Sequence, residues 1–529
     1  MPGRDKRSPD IHMPQKISIP LSAHGKKLSD YLAEEGYPLS AACGGRGVCG
    51  KCRVKIIKGA FRDIKAPENI LKPDGEGYIL ACRALCDSSL KEAEILLNDT
   101  DGNGLTHFSS GITVNGREGY GIALDIGTTT LAAALVDMNS GRVISSVSRL
   151  NPQRSYGADV ISRISACADG RLQELNRIIL QAAARIIEQF ALQEPDIHPQ
   201  HMTVSGNTTM LHLFCGVSPE KMGSYPFTPE FTQTKIIPGK QLMLPVQTVI
   251  LLPSASAFIG SDITGGAAVT GMLQAERPSV LIDIGTNGEM VFNAGERGGG
   301  RIYTASAAAG PALEGAKISC GMGGVDGALC RASFSSQTRK ISYRTINDKP
   351  IRGICGCGLV DVVSIMLETG VIDETGYMEE EEYFIEGVHI SENGKLLAQT
   401  GRETKISITQ QDIREFQLAK SAIAAGLEAL ASHASLKMEE ISQVFIAGGL
   451  GYYIDTANAK KTGLLPRELC CPIKSVGNAS LLGAIACLCD QQWLEKTSRF
   501  ALQCENFELN KSAVFNQAFI ERMLFIEEE

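Results

Sequence analysis

A short sequence occurs twice in this chain, and its repetition constrains the fold more than any other feature. Residues 120–130 read YGIALDIGTTT and residues 278–289 read PSVLIDIGTNGE, so Asp-Ile-Gly-Thr recurs after 158 residues. Each copy is an apolar run typical of a buried strand, and each run ends in a turn. Solenoid repeats have periods of about 20–50 residues, so this longer distance predicts two related α/β halves.

The end of each predicted strand combines residue types that bind nucleotide phosphates. The carboxylates of Asp125 and Asp283 can hold Mg²⁺ directly or through water. Gly127 and Gly285 let the backbone approach a phosphate, and successive N–H groups form an anion-binding nest. A further strand, QVFIAGGLG (443–451), ends in a glycine pair. The alternative interpretation is a pair of ordinary α/β turns without a ligand.

The second constraining feature is a glycine-rich cysteine loop, ACGGRGVCGKC (42–52), with the spacing C-x5-C-x2-C. A fourth cysteine follows in YILACRALC (78–86). A 2Fe–2S cluster takes four thiolates, typically three from one loop and one from further along the chain. The candidate ligands are therefore Cys43, Cys49, Cys52 and Cys82. Cys86 is the alternative fourth ligand, and a zinc site or a coincidental set of buried cysteines are the competing interpretations.

The chain contains sixteen cysteines, and no apolar segment near its start indicates export. Reduced thiols and metal ligation are therefore favoured over disulfides, and a cytoplasmic location is expected. None of the other close cysteine pairs has the spacing of a second cluster. We interpret these pairs as small buried residues in helices and glycine turns: Cys355 and Cys357, Cys470 and Cys471, and Cys487 and Cys489.

Composition excludes two classes of partner. The formal net charge is −8, whereas nucleic-acid binding requires a basic face. The sequence has no apolar run of the roughly 18–20 residues that would span a bilayer.

The chain of 529 residues is too long for a single hydrophobic core, and its length predicts roughly three or four domains. The predicted organisation is a flexible tail (1–14), a cluster-binding domain (15–98), a linker (99–118), and two α/β lobes (119–276 and 277–529).

Each module resembles a known family. The cysteine loop is similar to that of 2Fe–2S ferredoxins with a β-grasp fold, which is an α+β fold, and its C-x5-C spacing is closer to the adrenodoxin-like branch. The two turns and AGGLG resemble the phosphate-1, phosphate-2 and adenosine motifs of the acetate and sugar kinase/Hsp70/actin superfamily. That resemblance implies a two-lobed, RNase H-like α/β ATPase. The nucleotide-binding residues that it implies are Asp125, Gly127, Thr128, Thr129, Thr130, Asp283, Gly285, Thr286, Asn287, Gly448, Gly449 and Gly451.

The combination of modules resembles the reductive activators of corrinoid proteins. Segments such as AGPALEGA (309–316) and DIREFQLAK (412–420) are similar to that family's. The resemblance implies one-electron reduction of Co(II) to Co(I) in a corrinoid protein, driven by ATP. It implies a 2Fe–2S cluster, ATP and Mg²⁺ as cofactors, with Asp125 and Asp283 positioning the metal and the attacking water.

An external low-potential electron donor is also implied, and the family alone suggests a homodimer. Two alternatives from other classes remain. One is a small-molecule kinase with a ferredoxin appendage, and the other is a redox-sensing scaffold that uses ATP to switch partners.

Overall fold

The structure is a computed structural model that describes most of the chain in two compact units. The described residues are 15–35, 39, 52–75, 77–87, 93–97, 114–157, 159–337, 340–378, 384–385, 388–391, 395–398 and 405–525. One unit contains the described residues up to 97 together with 152–157, and the second contains 114–151 and the described residues from 159 onward.

The first unit is built around an antiparallel sheet and one helix. Its elements are β1 (Gln15–Ile19), α1 (Leu28–Glu34), β2 (Arg53–Lys58), β3 (Arg62–Asp63), β4 (Ala66–Ile70), β5 (Tyr78–Leu80), β6 (Ala84–Leu85) and β7 (Ala93–Leu97). The order of the main sheet is β1-β7-β2-β5, and β4-β3-β6 form a small second sheet. Leu28 and Leu32 of α1 are fully buried with Val54 and Ile95 of the sheet. This apolar core fixes β2, which begins directly after Cys52, and β5, which ends two residues before Cys82.

The second unit begins with a six-stranded sheet that forms its first lobe. The elements are β8 (Tyr120–Ile126), β9 (Thr130–Asp137), β10 (Arg142–Leu150), α2 (Val160–Ala166), α3 (Leu172–Gln193), β11 (His201–Gly206), α4 (Thr208–Cys215), β12 (Lys235–Pro238), β13 (Thr248–Leu251) and α5 (Ser261–Val269). The strand order is β10-β9-β8-β11-β13-β12, and β8, β11 and β13 are parallel. Parallel strands bring their carboxyl ends to one edge of a sheet, where α/β folds place ligands.

The second lobe repeats this architecture and adds further elements. They are β14 (Ser279–Ile284), β15 (Gly288–Asn293), β16 (Ile302–Ala307), β17 (Ala328–Ser335), β18 (Lys340–Thr345), β19 (Gly353–Ile354), α6 (Gly356–Glu368), β20 (Phe384–Ile385), β21 (Val388–Ser391), β22 (Lys395–Ala398), β23 (Lys405–Ser407), α7 (Gln410–His433), β24 (Gln443–Ala447), α8 (Thr456–Lys461), β25 (Ile473–Gly477), α9 (Ala479–Cys489), α10 (Gln491–Gln503), β26 (Cys504–Asn506) and α11 (Ala513–Glu521). The order of the main sheet is β25-β24-β14-β15-β16-β26.

The two main sheets share one connectivity, as the repeated sequence predicts. In each lobe the strand that ends in Asp-Ile pairs antiparallel with the next strand and parallel with a later one. Thus β8 lies between β9 and β11, and β14 lies between β15 and β24. The two Asp-Ile-Gly-Thr turns therefore occupy equivalent positions in the two lobes.

Two helices cross between the lobes. Helix α5 follows the first sheet in sequence, yet Ile263 of α5 belongs to the core beneath Leu281 of the second sheet. Helix α9 follows the second sheet, yet Leu481 of α9 lies in a core with Ala123 of the first sheet. The helices meet at Gly265 and Gly483, where the missing side chains permit backbone contact. This exchange ties the start of α9 to the end of β8.

The paired cysteines divide between the interior and the surface. Cys355, Cys357, Cys487 and Cys489 are buried, as predicted. Cys470 is exposed and Cys471 is half-buried, so the interpretation as buried residues was wrong for this pair. These two cysteines precede Pro472 in the connection to β25, outside any helix or strand.

Candidate functional site

Each of the two Asp-Ile-Gly-Thr turns, which were predicted to be phosphate loops, is closed by a backbone hydrogen bond, over three residues in the first and two in the second. In the first, the Gly127 N–H donates to the Thr130 carbonyl at 2.9 Å, and in the second the Gly285 N–H donates to the Asn287 carbonyl at 2.9 Å. Each bond closes a tight turn at the end of its strand. A Cβ at Gly127 would lie 2.8 Å from the Thr130 carbonyl oxygen, so this turn requires glycine. The loops therefore present their polar groups from equivalent places on facing lobes.

Between these loops lies a cavity of about 260 Å³. Eleven of the twelve predicted nucleotide-binding residues line it, namely Asp125, Gly127, Thr128, Thr129, Thr130, Asp283, Gly285, Thr286, Asn287, Gly448 and Gly449. Gly451 follows on the short 3₁₀ helix Gly449–Tyr452. Residues that were predicted from three separate segments thus meet around one space.

Asp125 is held by the start of α9. The Ser480 hydroxyl donates to one carboxylate oxygen at 2.6 Å, and the Asn478 side-chain amide donates to the other at 2.8 Å. Asn478 also caps α9, because its Oδ1 accepts from the Leu481 N–H at 2.8 Å. Removal from bulk water raises the pKa of Asp125, and the two hydrogen bonds oppose that rise. The carboxylate is therefore fixed in orientation at the end of β8.

Asp125 belongs to a group of recessed acidic residues. Burial, followed by repulsion from Asp125, raises the pKa of Asp262 to about 7. Burial raises the pKa of Asp283 to about 8, with further repulsion from Asp262, Asp125 and Glu314. Burial and the charges of Asp262 and Asp283 likewise raise the pKa of Glu289 well above its usual range. Burial and mutual repulsion thus disfavour full ionisation of these neighbouring carboxyl groups.

The side of the cavity formed by the predicted adenosine motif depends on a close backbone approach. Gly448 has φ +85°, and a Cβ there would lie 2.6 Å from Asp283 Oδ1. Leu450 and Tyr453 line the same wall. At Gly449 a Cβ would meet no atom within 4 Å, so this position opens into space. The two glycines therefore differ: a side chain at Gly448 would clash with Asp283, whereas one at Gly449 would meet open space.

In the first unit, two of the four predicted cluster ligands lie within the described residues. Cys52 and Cys82 are both buried. A hydrogen bond with the Cys82 thiol lowers the pKa of Cys52 to about 6, against the opposing effect of burial, so the two sulfurs are neighbours. Thiolate character is what a metal ligand requires. The donor set that is described fits an iron–sulfur cluster. Cys43 and Cys49 lie outside the described residues.

Cys86 differs from that pair. It is also buried, but burial raises the pKa of its thiol to about 12. The hydrogen bond between Cys52 and Cys82 places the Cys82 sulfur beside a predicted ligand, and this proximity supports Cys82 as the fourth ligand.

Three family profiles match the chain. Residues 277–529 match the profile described as the C-terminal domain of RACo, the ASKHA domain, and residues 120–275 match the RACo middle region. Residues 11–87 match the 2Fe–2S iron–sulfur cluster binding domain.

Similar proteins span nearly the same length. Corrinoid activation enzyme RamQ of Eubacterium limosum is 31% identical over 86% of this chain and 89% of its own. The chain belongs to the family of corrinoid activation enzymes. A reductase of the Co(II) methylated amine-specific corrinoid protein from Methanosarcina barkeri is 25% identical over 76% of each chain. The solved structure of a reductive activator for a corrinoid, iron–sulfur protein has a TM-score of 0.71 at 26% identity and covers 95% of this chain and 96% of that one.

These matches confirm the family and the fold class that the motifs predicted. This corrinoid activation enzyme combines a ferredoxin-type 2Fe–2S domain with an actin-like ATPase domain. Within the part of the chain that the structure describes, no helix is long and apolar enough to cross a membrane.

Several cavity residues of this corrinoid activation enzyme escaped the sequence interpretation. They are Asn207, Asp262, Glu289, Glu314, Cys355, Cys357, Asn478 and Ser480. Asp262 stands in the first turn of α5, and Asn478 and Ser480 stand at the start of α9. In the sequence these three residues are recognisable only as a helix N-cap residue, its neighbour, or an acidic residue that follows a glycine turn. Such signals are common at helix starts, so they do not single out a binding site.

A second cavity of about 880 Å³ lies between the two lobes of the same unit. Its walls are rich in aromatic side chains, namely Tyr225, Phe227, Phe258, Phe507, Phe515 and Phe519. Ser306–Ala308, at the end of β16, complete one wall. From this wall the chain runs through residues 309–312 to Leu313 and Glu314, which line the first cavity.

Proposed function

We propose that the protein is an ATP-dependent reductive activator that passes one electron from its 2Fe–2S cluster to a corrinoid protein, returning inactive Co(II) to Co(I). The observation that carries this proposal is the presence, in one chain of the corrinoid activation family, of neighbouring cluster cysteines and a carboxylate-lined cavity between two phosphate-type loops. A one-electron carrier matches the one-electron cobalt step. The cluster that Cys43, Cys49, Cys52 and Cys82 would hold would supply this single electron, and an external low-potential donor would restore it.

In the proposed nucleotide site each lobe contributes one phosphate loop. Backbone N–H groups and the hydroxyls of Thr128, Thr129 and Thr286 would bind phosphate oxygens. Asp125 and Asp283 would hold Mg²⁺ and orient the attacking water. Among the described residues no group of three acidic, histidine or cysteine side chains is spaced to hold a metal alone. Mg²⁺ in nucleotide sites is bound through one or two carboxylates together with phosphates and water, which supports this assignment.

ATP is proposed to supply the free energy of an uphill electron transfer. For a one-electron couple, each ~59 mV corresponds to about 1.4 kcal/mol. Phosphoryl chemistry in such sites depends on positioning and charge neutralisation, so nucleotide binding and lobe closure can be coupled to docking of a partner. We further expect a cytoplasmic location, where thiols remain reduced, and a homodimer.

The test is an anaerobic UV–visible titration of the purified protein with a Co(II) corrinoid protein, reductant and Mg-ATP. We expect a Co(I) band that grows only when ATP and an intact cluster are both present. An equal Co(I) yield without ATP would contradict the energetic coupling. ATP turnover that phosphorylates a small molecule, with cobalt left at Co(II) across a panel of corrinoid proteins, would favour the kinase alternative.

A further inference from the structure

One carboxylate lies where the two phosphate loops converge. Glu314 Oε2 accepts a hydrogen bond from the Thr286 hydroxyl at 2.5 Å and one from the Thr129 hydroxyl at 2.9 Å. Thr129 belongs to the loop of the first lobe and Thr286 to the loop of the second. A Cβ at Gly285 would lie 3.4 Å from the other carboxylate oxygen, so the carboxylate sits directly against that loop. One side chain therefore joins both loops.

The chemistry of this contact is that of a bound phosphate. Threonine hydroxyls at the tips of such loops donate to anionic phosphate oxygens, and a carboxylate oxygen is also an anionic acceptor. Glu314 satisfies the same donors that the proposed nucleotide site would offer to a terminal phosphate. A phosphate and the carboxylate cannot accept from these hydroxyls in the same positions, and their like charges would repel.

We infer that Glu314 is a positioning residue that acts as an internal ligand of the phosphate loops, and that the terminal phosphate of ATP displaces it. This inference rests on the proposed nucleotide site. In the absence of nucleotide, Glu314 holds Thr129 and Thr286 together. When ATP binds, its terminal phosphate takes over both hydroxyls and the Glu314 carboxylate moves away. ADP lacks that phosphate and leaves Glu314 in place.

The segment that carries Glu314 is suited to transmit this displacement. Glu314 ends the short 3₁₀ helix Pro311–Glu314, between Gly310 at φ +76° and Gly315 at φ +79°. A Cβ at Gly315 would lie 2.3 Å from the Met322 carbonyl oxygen, so this end is tightly packed. A Cβ at Gly310 would meet no atom within 4 Å, so the other end has space around it. The Gly310 end of the segment therefore has more room to move than the Gly315 end when Glu314 is displaced.

Beyond Gly310 the chain forms a wall of the second cavity. Ser306–Ala308 line that cavity and lie only a few residues before Glu314. A change at the terminal phosphate would therefore reach a surface outside the nucleotide site through one short stretch of backbone. This gives the two cavities a physical connection that depends on ATP and not on ADP.

The experiment measures the affinity of the full chain for a non-hydrolysable ATP analogue and for ADP, both with Mg²⁺, by calorimetry. Variants are Glu314→Ala, Glu314→Gln and, as a charge-matched control, Glu174→Gln on the exposed face of α3 beside Arg171. We expect Glu314→Ala to bind the ATP analogue about five- to tenfold more tightly, because the internal competitor is gone. Affinity for ADP should change less than about twofold. Glu314→Gln, whose amide oxygen still accepts hydrogen bonds without charge, should lie between the wild type and Glu314→Ala.

Steady-state kinetics separate this role from direct participation in hydrolysis. Displacement predicts a lower KM for ATP in Glu314→Ala, in parallel with its tighter binding. Weaker binding together with a lower kcat would mean that Glu314 contacts bound nucleotide or metal, and would overturn the inference. Equal tightening for ATP and ADP would also overturn it. A wild-type chain that binds no nucleotide would instead refute the proposed nucleotide site.

A measurement on the wild type keeps the inference testable if the variants fold poorly. Hydrogen–deuterium exchange should increase across residues 306–316 when the ATP analogue binds, and should remain unchanged with ADP. Unchanged exchange with both nucleotides would contradict displacement of Glu314.

Discussion

Thr128 Oγ1 and Thr286 Oγ1 lie 3.3 Å apart, although 158 residues separate them in the chain. This is the spacing of the repeated sequence, so equivalent hydroxyls of the two lobes touch. Asp125 and Asp283 are related by the same repeat, and each lies three residues before its threonine in the sequence. The phosphate loops are therefore closed against each other, with Glu314 bonded to Thr286 at the junction. The proposed binding of ATP between these loops would replace contacts that the two lobes make with each other.

Substitution of the two neighbouring glycines of the adenosine motif should separate folding from binding. Gly448→Ala places a Cβ 2.6 Å from Asp283 Oδ1 at a φ of +85°, so both sterics and backbone strain oppose it. We expect a loss of about 1–3 kcal/mol of stability and of most ATP hydrolysis. Gly449→Ala, with no atom within 4 Å, should keep the wild-type Tm while it weakens nucleotide binding. Equal Tm values for the two variants would contradict the geometry.

The sequence was sufficient for the parts of the site that are local. An apolar strand followed by Asp-Ile-Gly-Thr specifies both the turn and its polar groups, because backbone hydrogen bonds such as that from Gly127 to Thr130 span only a few residues. The repeat then predicted two such turns in related lobes. The four cluster cysteines were predicted in the same way, from close spacing in one loop and a fourth after an apolar strand, and their ligand roles stay a prediction.

Residues that join the site through tertiary contacts were not predictable from local pattern. Ser480 reaches Asp125 across 355 residues, because α9 crosses to pack on the first sheet. The sequence of α9 is apolar and nearly every residue of it is buried, so its pattern does not indicate which sheet the helix covers. Glu314 lies in a segment that the family resemblance marked, AGPALEGA, without indicating that its carboxylate would bond to both loops.

Two buried cysteines in the first unit provide a matched test of cluster ligation. Cys82→Ser should abolish the visible absorption of the 2Fe–2S cluster and lower the bound iron, because it removes a thiolate next to Cys52. Cys86→Ser should retain the cluster, since this variant keeps Cys82, whose thiol lies beside Cys52. Iron analysis and UV–visible spectra of anaerobically reconstituted protein give the result. Loss of iron in Cys86→Ser with retention in Cys82→Ser would reverse the assignment.

The crossing of α5 and α9 should tolerate one added methyl group and not the other. A Cβ at Gly483 would lie 2.4 Å from the Gly265 carbonyl carbon, whereas a Cβ at Gly265 would lie 3.5 Å from the Gly483 Cα. We expect Gly483→Ala to lower stability by about 1–3 kcal/mol through overpacking. Gly265→Ala should change it by less than about 1 kcal/mol, because alanine favours the helix. Thermal unfolding of both variants tests this asymmetry, and identical Tm shifts would contradict it.

A buried lysine near the end of the chain should make stability depend on pH. Lys420 of α7 donates to the carbonyl oxygens of Arg522 at 2.5 Å and Leu524 at 2.7 Å, and so fastens the segment after α11. Burial, with repulsion from Arg522, lowers the pKa of Lys420 to about 7 from 10.5. Between these values the unfolded chain binds a proton that the folded chain lacks, so the free energy of unfolding rises with pH across this window.

Lys420→Met retains the apolar stem of the side chain but removes both hydrogen bonds and the titration. The variant should be less stable by about 1–3 kcal/mol at pH 8, because two carbonyl groups lose their partner. Its deficit relative to the wild type should grow from pH 7 to pH 9, since only the wild type gains stability there. Below pH 7 the lysine is protonated in both states and the deficit should become constant. Urea unfolding at pH 6, 7, 8 and 9 measures it, and a deficit independent of pH would show that Lys420 keeps its proton when folded.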